Sequence, residues 1–241
     1  MAATFFTVGL GPGDPELMTL KAARIIAAAP VIAYFAKRGR PGHARGIVEG
    51  RTRADVEELR LDYPFTTEVP LDDPRYAAEI GAFYELSATR LAARLDRGLD
   101  VALLCEGDPF FYGSSMYLYD RLRDAYAHEV VPGVCGMSGC WAQAGTPIVH
   151  GDDVLTVLPG TLDAESLAAR LHGCDGAVIM KVGRNLPKIR AALSRAGLLD
   201  RAIYVERGTM PGQRILPLVD FCDTPAPYFS MILVPGRQRA R

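Results

Sequence analysis

Long apolar runs, a dominant charge of either sign, paired cysteines and tryptophan are all scarce in this 241-residue chain. No run approaches the ~20 apolar residues that span a bilayer. The first residues lack a basic region followed by an apolar core, so no secretory signal is expected and the chain reads as cytoplasmic. A net charge of −1 gives no electrostatic case for nucleic acid, which calls for a basic surface. The five cysteines, Cys105, Cys135, Cys140, Cys174 and Cys222, form no CxxC pair and read as buried thiols of a reducing compartment. His43, His128, His150 and His172 show no ligand spacing, so no metal is expected. No glycine turn is followed by GKS or GKT, which excludes a P-loop.

What is present is a chain 49% hydrophobic and 23% charged, enough for one sizeable domain or two small ones. Apolar runs alternate with amphipathic ones, the pattern of α/β architecture. Strands are expected at 4–9, 31–35, 100–105, 128–132, 154–158, 176–182, 201–206, 214–219 and 228–234, and helices at 16–29, 74–97, 114–126, 136–145, 164–172 and 186–196. Ile80, Phe83, Tyr84, Leu91 and Leu95 recur at helical spacing and read as core. Asn185 and Gly197 are placed to cap the last helix at its two ends. Residues 37–75, rich in Arg, Pro, Gly and Asp, read as a long excursion, a length that often carries function. The Pro-Gly at 132–133 and the Gly-Thr-Pro at 145–147 suggest a hinge, giving an N-terminal lobe over 1–135 and a C-terminal lobe over 136–241.

Three strand ends are punctuated by glycine. The first, GLGPGDPELMTLKA over 9–22, follows an apolar strand and leads into a helix. Gly9, Gly11 and Gly13 let backbone approach a ligand closely. Pro12 has no N–H for a pyrophosphate, however, and Asp14 stands where a dinucleotide fingerprint carries its third glycine. The next strand ends in Lys37-Arg38, which keeps an NADP-dependent oxidoreductase as an alternative. An ordinary turn capped by Asp14 or Thr19 is the bland reading. The second, CEGDPFFYGS over 105–114, sets Glu106 and Asp108 at a strand's carboxyl end, where open α/β sheets bind ligands. An Asp-Pro turn capping the next helix is its alternative. The third is VPGVCGMSGCW over 131–141.

Together these segments resemble the tetrapyrrole methyltransferases, which move methyl from S-adenosylmethionine to porphyrinoid rings. Residues 9–22 match GxGPGDxxxLTxxA, 107–113 match GDPxxYG, and 132–138 match PGVTxxS with Cys135 in place of threonine. Residues 181–212 and 34–45 resemble in particular the branch acting on carbon 20 of precorrin-2 in cobalamin synthesis. The resemblance implies two α/β lobes with the cofactor cleft between them, S-adenosylhomocysteine as by-product, and a homodimer. It implies cofactor contacts at Pro12, Glu106, Gly107, Asp108, Phe111, Cys135, Gly136, Met180, Gly208 and Ser230. A hydroxyl bond is lost at Cys135, because a thiol donates weakly. A polycarboxylate ring calls for cations; Lys37, Arg38 and Arg184 are the first candidates, with Arg40, His43, Arg45, Lys181 and Arg207 also available. The ring carbon must shed a proton, with Asp108, Tyr112 and His43 as candidate bases. A carrier without turnover is the non-enzymatic alternative.

Overall fold

A computed structural model describes residues 2–65, 73–222 and 225–236. The first half runs β1 (Thr4–Gly9), α1 (Leu20–Ala28), β2 (Val31–Lys37), α2 (His43–Ile47), β3 (Glu57–Tyr63), α3 (Pro74–Leu95), β4 (Val101–Cys105), α4 (Ser115–Leu122) and β5 (Ala127–Val131). The second runs α5 (Gly136–Gln143), β6 (Leu155–Pro159), α6 (Ala164–Leu171), β7 (Gly176–Met180), α7 (Leu186–Arg195), β8 (Ile203–Glu206), β9 (Arg214–Pro217) and β10 (Ser230–Val234). The fold is α/β, with two five-stranded sheets. The chain divides into two units, Met1–Gly136 and Met137–Arg241.

In the first unit the strands lie in the order β3-β2-β4-β1-β5, all parallel. Parallel strands are buried on both faces, and successive residues of each strand serve opposite sides. Phe5, Val31, Ala33, Val101 and Leu103 pack with Leu91 of α3 and Leu118 of α4. Val8, Ile32, Ala102 and Leu104 pack with Ala22 and Ile26 of α1. The chain therefore leaves β1 toward one face and the neighbouring β4 toward the other. Adjacent strands whose connections part in this way open a crevice at their carboxyl ends, the switch point of a doubly wound sheet.

In the second unit the order is β6-β7-β10-β8-β9, with β10 antiparallel to both neighbours. Ile179, Tyr204 and Ile232 face α6 and α7 through Leu167, Leu171, Ile189 and Leu193. Val178, Val205 and Leu233 form the opposite layer with Cys140, and Met137 and Trp141 of α5 pack against it.

Four expectations need correction. The excursion at 37–75 contains structure: α2 and β3 lie within it, and β3 pairs with β2 from Val31↔Glu57 to Lys37↔Tyr63. β3 is an edge strand in which only Leu59 and Leu61 are buried, so its charged alternate residues hide it. Residues 66–72 of the excursion lie outside the described residues. The helix expected at 16–29 is broken into a 3₁₀ turn at Pro15–Leu17 and α1. Each piece has its own cap: Asp14 accepts from Glu16 N at 2.8 Å and Thr19 from Ala22 N at 3.1 Å. Asn185 does not cap α7 with its side chain, which donates to Lys181 O at 3.0 Å instead. Among the cysteines, Cys105 and Cys140 are buried, but Cys222 is exposed.

Candidate functional site

The three glycine-punctuated loops leave β4, β1 and β5, which are neighbours in the first sheet, so the fold gathers them at one end. Their backbones touch. Leu10 N donates to Cys105 O at 2.9 Å, and Gly107 N to Gly11 O at 2.7 Å. A Cβ on Gly9 would lie 2.6 Å from Gly133 N and 2.8 Å from Gly107 O, and one on Gly133 would collide with Gly107 O and sit 2.9 Å from Gly9 Cα. Gly9 and Gly133 thus meet the Gly107 carbonyl at a junction that leaves neither of them room for a side chain. Gly11 and Gly107 also adopt φ of +82° and +69°, which glycine supplies without steric cost.

Asp108 ties this junction together. One carboxylate oxygen accepts from Phe110 N at 2.9 Å, closing the Asp-Pro turn, and the other accepts from Gly133 N at 3.1 Å, bracing the second loop against the third. Glu106 points elsewhere. It accepts from Ala44 N at 2.9 Å, in the first turn of α2, which brings the excursion to the second loop and places His43 within electrostatic reach of Glu106. Solvent reaches the Glu106 side chain, yet the protein crowded around it desolvates the carboxyl. That burial pushes the Glu106 pKa up, with the His43 charge and the backbone N–H groups opposing.

A raised carboxyl value means the folded chain holds this proton more tightly than the unfolded one. The stability it contributes is present below the ordinary glutamate value of 4.5 and is lost as pH rises through the raised value. Glu106→Gln removes the ionisation while keeping an acceptor for Ala44 N. Its melting temperature relative to the parent is expected to climb as pH rises above 4.5; a difference that stays flat with pH contradicts this.

Phe111 is half-buried and meets the ring of Tyr112 edge-on at 5.1 Å. Tyr112 is 43% exposed and holds φ of 57°. Cys135 is half-buried, and burial with the Asp108 charge raises its thiol pKa. Gly136 opens α5. Of the cations, Lys37 ends β2 and Arg38 follows it, both exposed. Arg45 is taken up by Glu58 at 2.7 Å, which removes it from the set available to a ligand.

In the second unit, Met180 ends β7, Ser230 starts β10 opposite Glu206, and Gly208 follows β8. Because β10 runs antiparallel between β7 and β8, all three lie at the same end of that sheet. Arg184 is exposed in the turn Gly183–Asn185 after β7. Two of these residues have internal tasks that sequence reasoning did not anticipate. The Ser230 hydroxyl donates to Pro227 O at 2.7 Å and shares a 2.9 Å bond with Tyr204. Gly208 makes room for Cys140, whose Sγ would lie 2.7 Å from a Cβ there.

Sequence reasoning also missed the strain. Among the described residues, the non-glycine positions with positive φ are Tyr112 after β4, Lys181 after β7, and Arg207 and Thr209 after β8. All four follow strand carboxyl ends, and such residues gather at functional sites. Thr209 is β-branched, and its buried hydroxyl has no partner among the described residues. No local signal marks these positions.

The first sheet thus carries a glycine junction at one end, braced by Asp108, with α2 docked beside it on Glu106. The family model for Tetrapyrrole (Corrin/Porphyrin) Methylases matches residues 4–219, and the chain belongs to that family. It is 55% identical to a precorrin-2 C(20)-methyltransferase from a Sinorhizobium species, over 95% of this chain and 94% of that one. It is 48% identical to the cobalamin biosynthesis protein CobIJ of Mycobacterium bovis over 98% of this chain but 46% of that longer one. It is 30% identical to a cobalt-precorrin-2 C(20)-methyltransferase of Salmonella typhimurium, over 97% of each. The fold is shared with the cobalt precorrin-4 methyltransferase CbiF, with a TM-score of 0.73, 21% identity, and coverage of 96% of this chain and 94% of that one. A uroporphyrin-III C-methyltransferase from Thermus thermophilus, solved with S-adenosylhomocysteine, gives a TM-score of 0.66 at 22% identity over 97% of this chain and 92% of that one.

Proposed function

We propose that the chain transfers a methyl group from S-adenosylmethionine to carbon 20 of precorrin-2, in cobalamin synthesis. The observation that carries this reading is the 55% identity to a precorrin-2 C(20)-methyltransferase over nearly the whole of both chains. The lower identity, 30%, to the relative named for the cobalt-bearing ring supports the metal-free substrate.

The geometry suits that cofactor. S-adenosylmethionine supplies an electrophilic methyl on a sulfonium cation and brings no phosphate. The first loop is poor for phosphate for a stated reason: α1 starts only at Leu20, with Thr19 capping its first turn, so no free helix N-terminus faces the glycines. The carboxylates of Glu106 and Asp108 favour a cation instead, and Pro12, Gly107, Phe111, Cys135 and Gly136 line the same loops. In the second unit, the Ser230 hydroxyl is engaged already, so Met180, Gly208 and Ser230 offer a ligand their backbone groups.

Little covalent chemistry is asked of the protein. The carbon–sulfur bond breaks as the carbon–carbon bond at the ring forms, and the ring carbon then loses a proton. Orienting the two reactants can supply ~7–11 kcal/mol. Both Asp108 oxygens accept backbone N–H groups, so Asp108 holds the loops and the proton-accepting role passes to His43 or Tyr112. His43 is favoured, because α2 is docked on the second loop through Ala44 N and Glu106. Lys37, Arg38 and Arg184 pair with ring carboxylates.

Incubation with precorrin-2 and a labelled methyl donor, followed by NMR of the product, tests the reading. Label is expected at carbon 20. Label elsewhere overturns the ring position, and tight NADPH binding without methyl transfer overturns the reaction class.

A further inference from the structure

The cationic turn at the end of β2 is held by a residue that no motif marks. Lys37–Arg40 closes on itself, with Arg40 N donating to Lys37 O at 2.9 Å and Gly39 at φ of +76°. Positive φ at the third position is the signature of a type II turn. Its two outer carbonyls receive one guanidinium: Arg60 donates to Lys37 O at 2.9 Å and to Arg40 O at 2.8 Å, while its Nε donates to Asp62 at 2.8 Å. Arg60 is itself anchored, since Arg90 of α3 donates to its carbonyl at 2.9 Å. Arg38 and Arg40 have no acidic partner among the described residues, and both are exposed. A few residues on, Ala44 N meets Glu106, so this turn stands beside the glycine junction.

We propose that Arg60 is a positioning residue, which fixes the turn so that Arg38 and Arg40 present their guanidinium groups to carboxylates of the substrate. This rests on the polycarboxylate substrate proposed above. One guanidinium nitrogen, Nη2, serves both carbonyls while Nε holds Asp62; an apolar stem supplies none of these donors. Without it the turn keeps a single internal hydrogen bond, and the two arginines lose their common frame.

The test is steady-state kinetics of the full chain with precorrin-2 and S-adenosylmethionine. Arg60→Met is expected to raise KM for precorrin-2 about 10-fold, the loss of roughly one charge-assisted hydrogen bond. KM for S-adenosylmethionine and kcat at saturation are expected to stay as in the parent. If Arg60→Met fails to fold, as judged by circular dichroism, Arg60→Gln, too short to reach both carbonyls, carries the same readout. The deciding measurement is a double-mutant cycle. In an Arg38→Met/Arg40→Met background, which should itself raise KM for precorrin-2, replacing Arg60 is expected to add nothing. An unchanged KM in the Arg60 variants, or a further rise in that background, overturns the proposal. If the Arg38/Arg40 variant keeps the parent KM, the turn does not read the substrate and the proposal falls while the methyltransferase reading stands. Absence of turnover by the parent chain overturns both.

Discussion

Gly133→Ala is expected to abolish binding of S-adenosylmethionine and to destabilise the first unit by on the order of 3 kcal/mol, the upper range for overpacking. The new Cβ would strike the carbonyl of Gly107 and crowd Gly9 Cα and C, at 2.9 and 3.0 Å. None of these is the far end of a side chain that can swing aside. Relief requires β5 or the second loop to move, and that motion pulls Gly133 N from Asp108 and disturbs the bond from Gly107 N to Gly11 O. All three loops then lose their shared position. Gly81→Ala is the matched control: it lies within α3, φ there is not positive, and nothing stands within 4 Å of a Cβ. That change is expected to stabilise by roughly 0.5–1 kcal/mol. Urea melts and titration calorimetry of both variants check the pair, and wild-type affinity in Gly133→Ala would show that the junction does not shape the site.

The junction also shows what sequence could and could not reveal. The three loops were legible one by one, from glycines at the ends of apolar strands. Their contact was not, because Gly9, Gly107 and Gly133 are far apart in the chain and meet only through the strand order β4-β1-β5. A parallel order of that kind depends on long-range pairing that no local pattern encodes. β3 escaped notice for a related reason: an edge strand needs few buried residues, and two leucines among charges read as loop. Single residues depend on partners that the sequence does not show: Arg45 pairs with Glu58, and the Ser230 hydroxyl meets Pro227 and Tyr204. Long amphipathic helices carried their own signal, and in α3 the residues Tyr84, Leu91 and Leu95 are buried as their spacing indicates.

Asp108→Asn separates two roles for the carboxylate at the centre of the site. As a brace, Asp108 accepts from Phe110 N and Gly133 N with one oxygen each. The asparagine keeps one acceptor but turns an NH₂ group toward the other N–H, so one bond is lost and a donor faces a donor. Hydrogen bonds to a charged acceptor contribute roughly 1.5–3 kcal/mol, which corresponds to about 10- to 150-fold in affinity. The negative charge proposed to favour a cationic cofactor is lost as well. Asp108→Asn is therefore expected to weaken S-adenosylmethionine binding by about two orders of magnitude, while kcat at saturating cofactor stays within about tenfold of the parent. A general base behaves in the opposite way, since its amide cannot take a proton: kcat would collapse with the cofactor dissociation constant nearly unchanged. Calorimetry for affinity and single-turnover methyl transfer for rate distinguish the two patterns. Under the bracing role, His43→Gln is the variant in which turnover falls while the cofactor still binds, because His43 stands in the first turn of α2, outside the three loops of the junction.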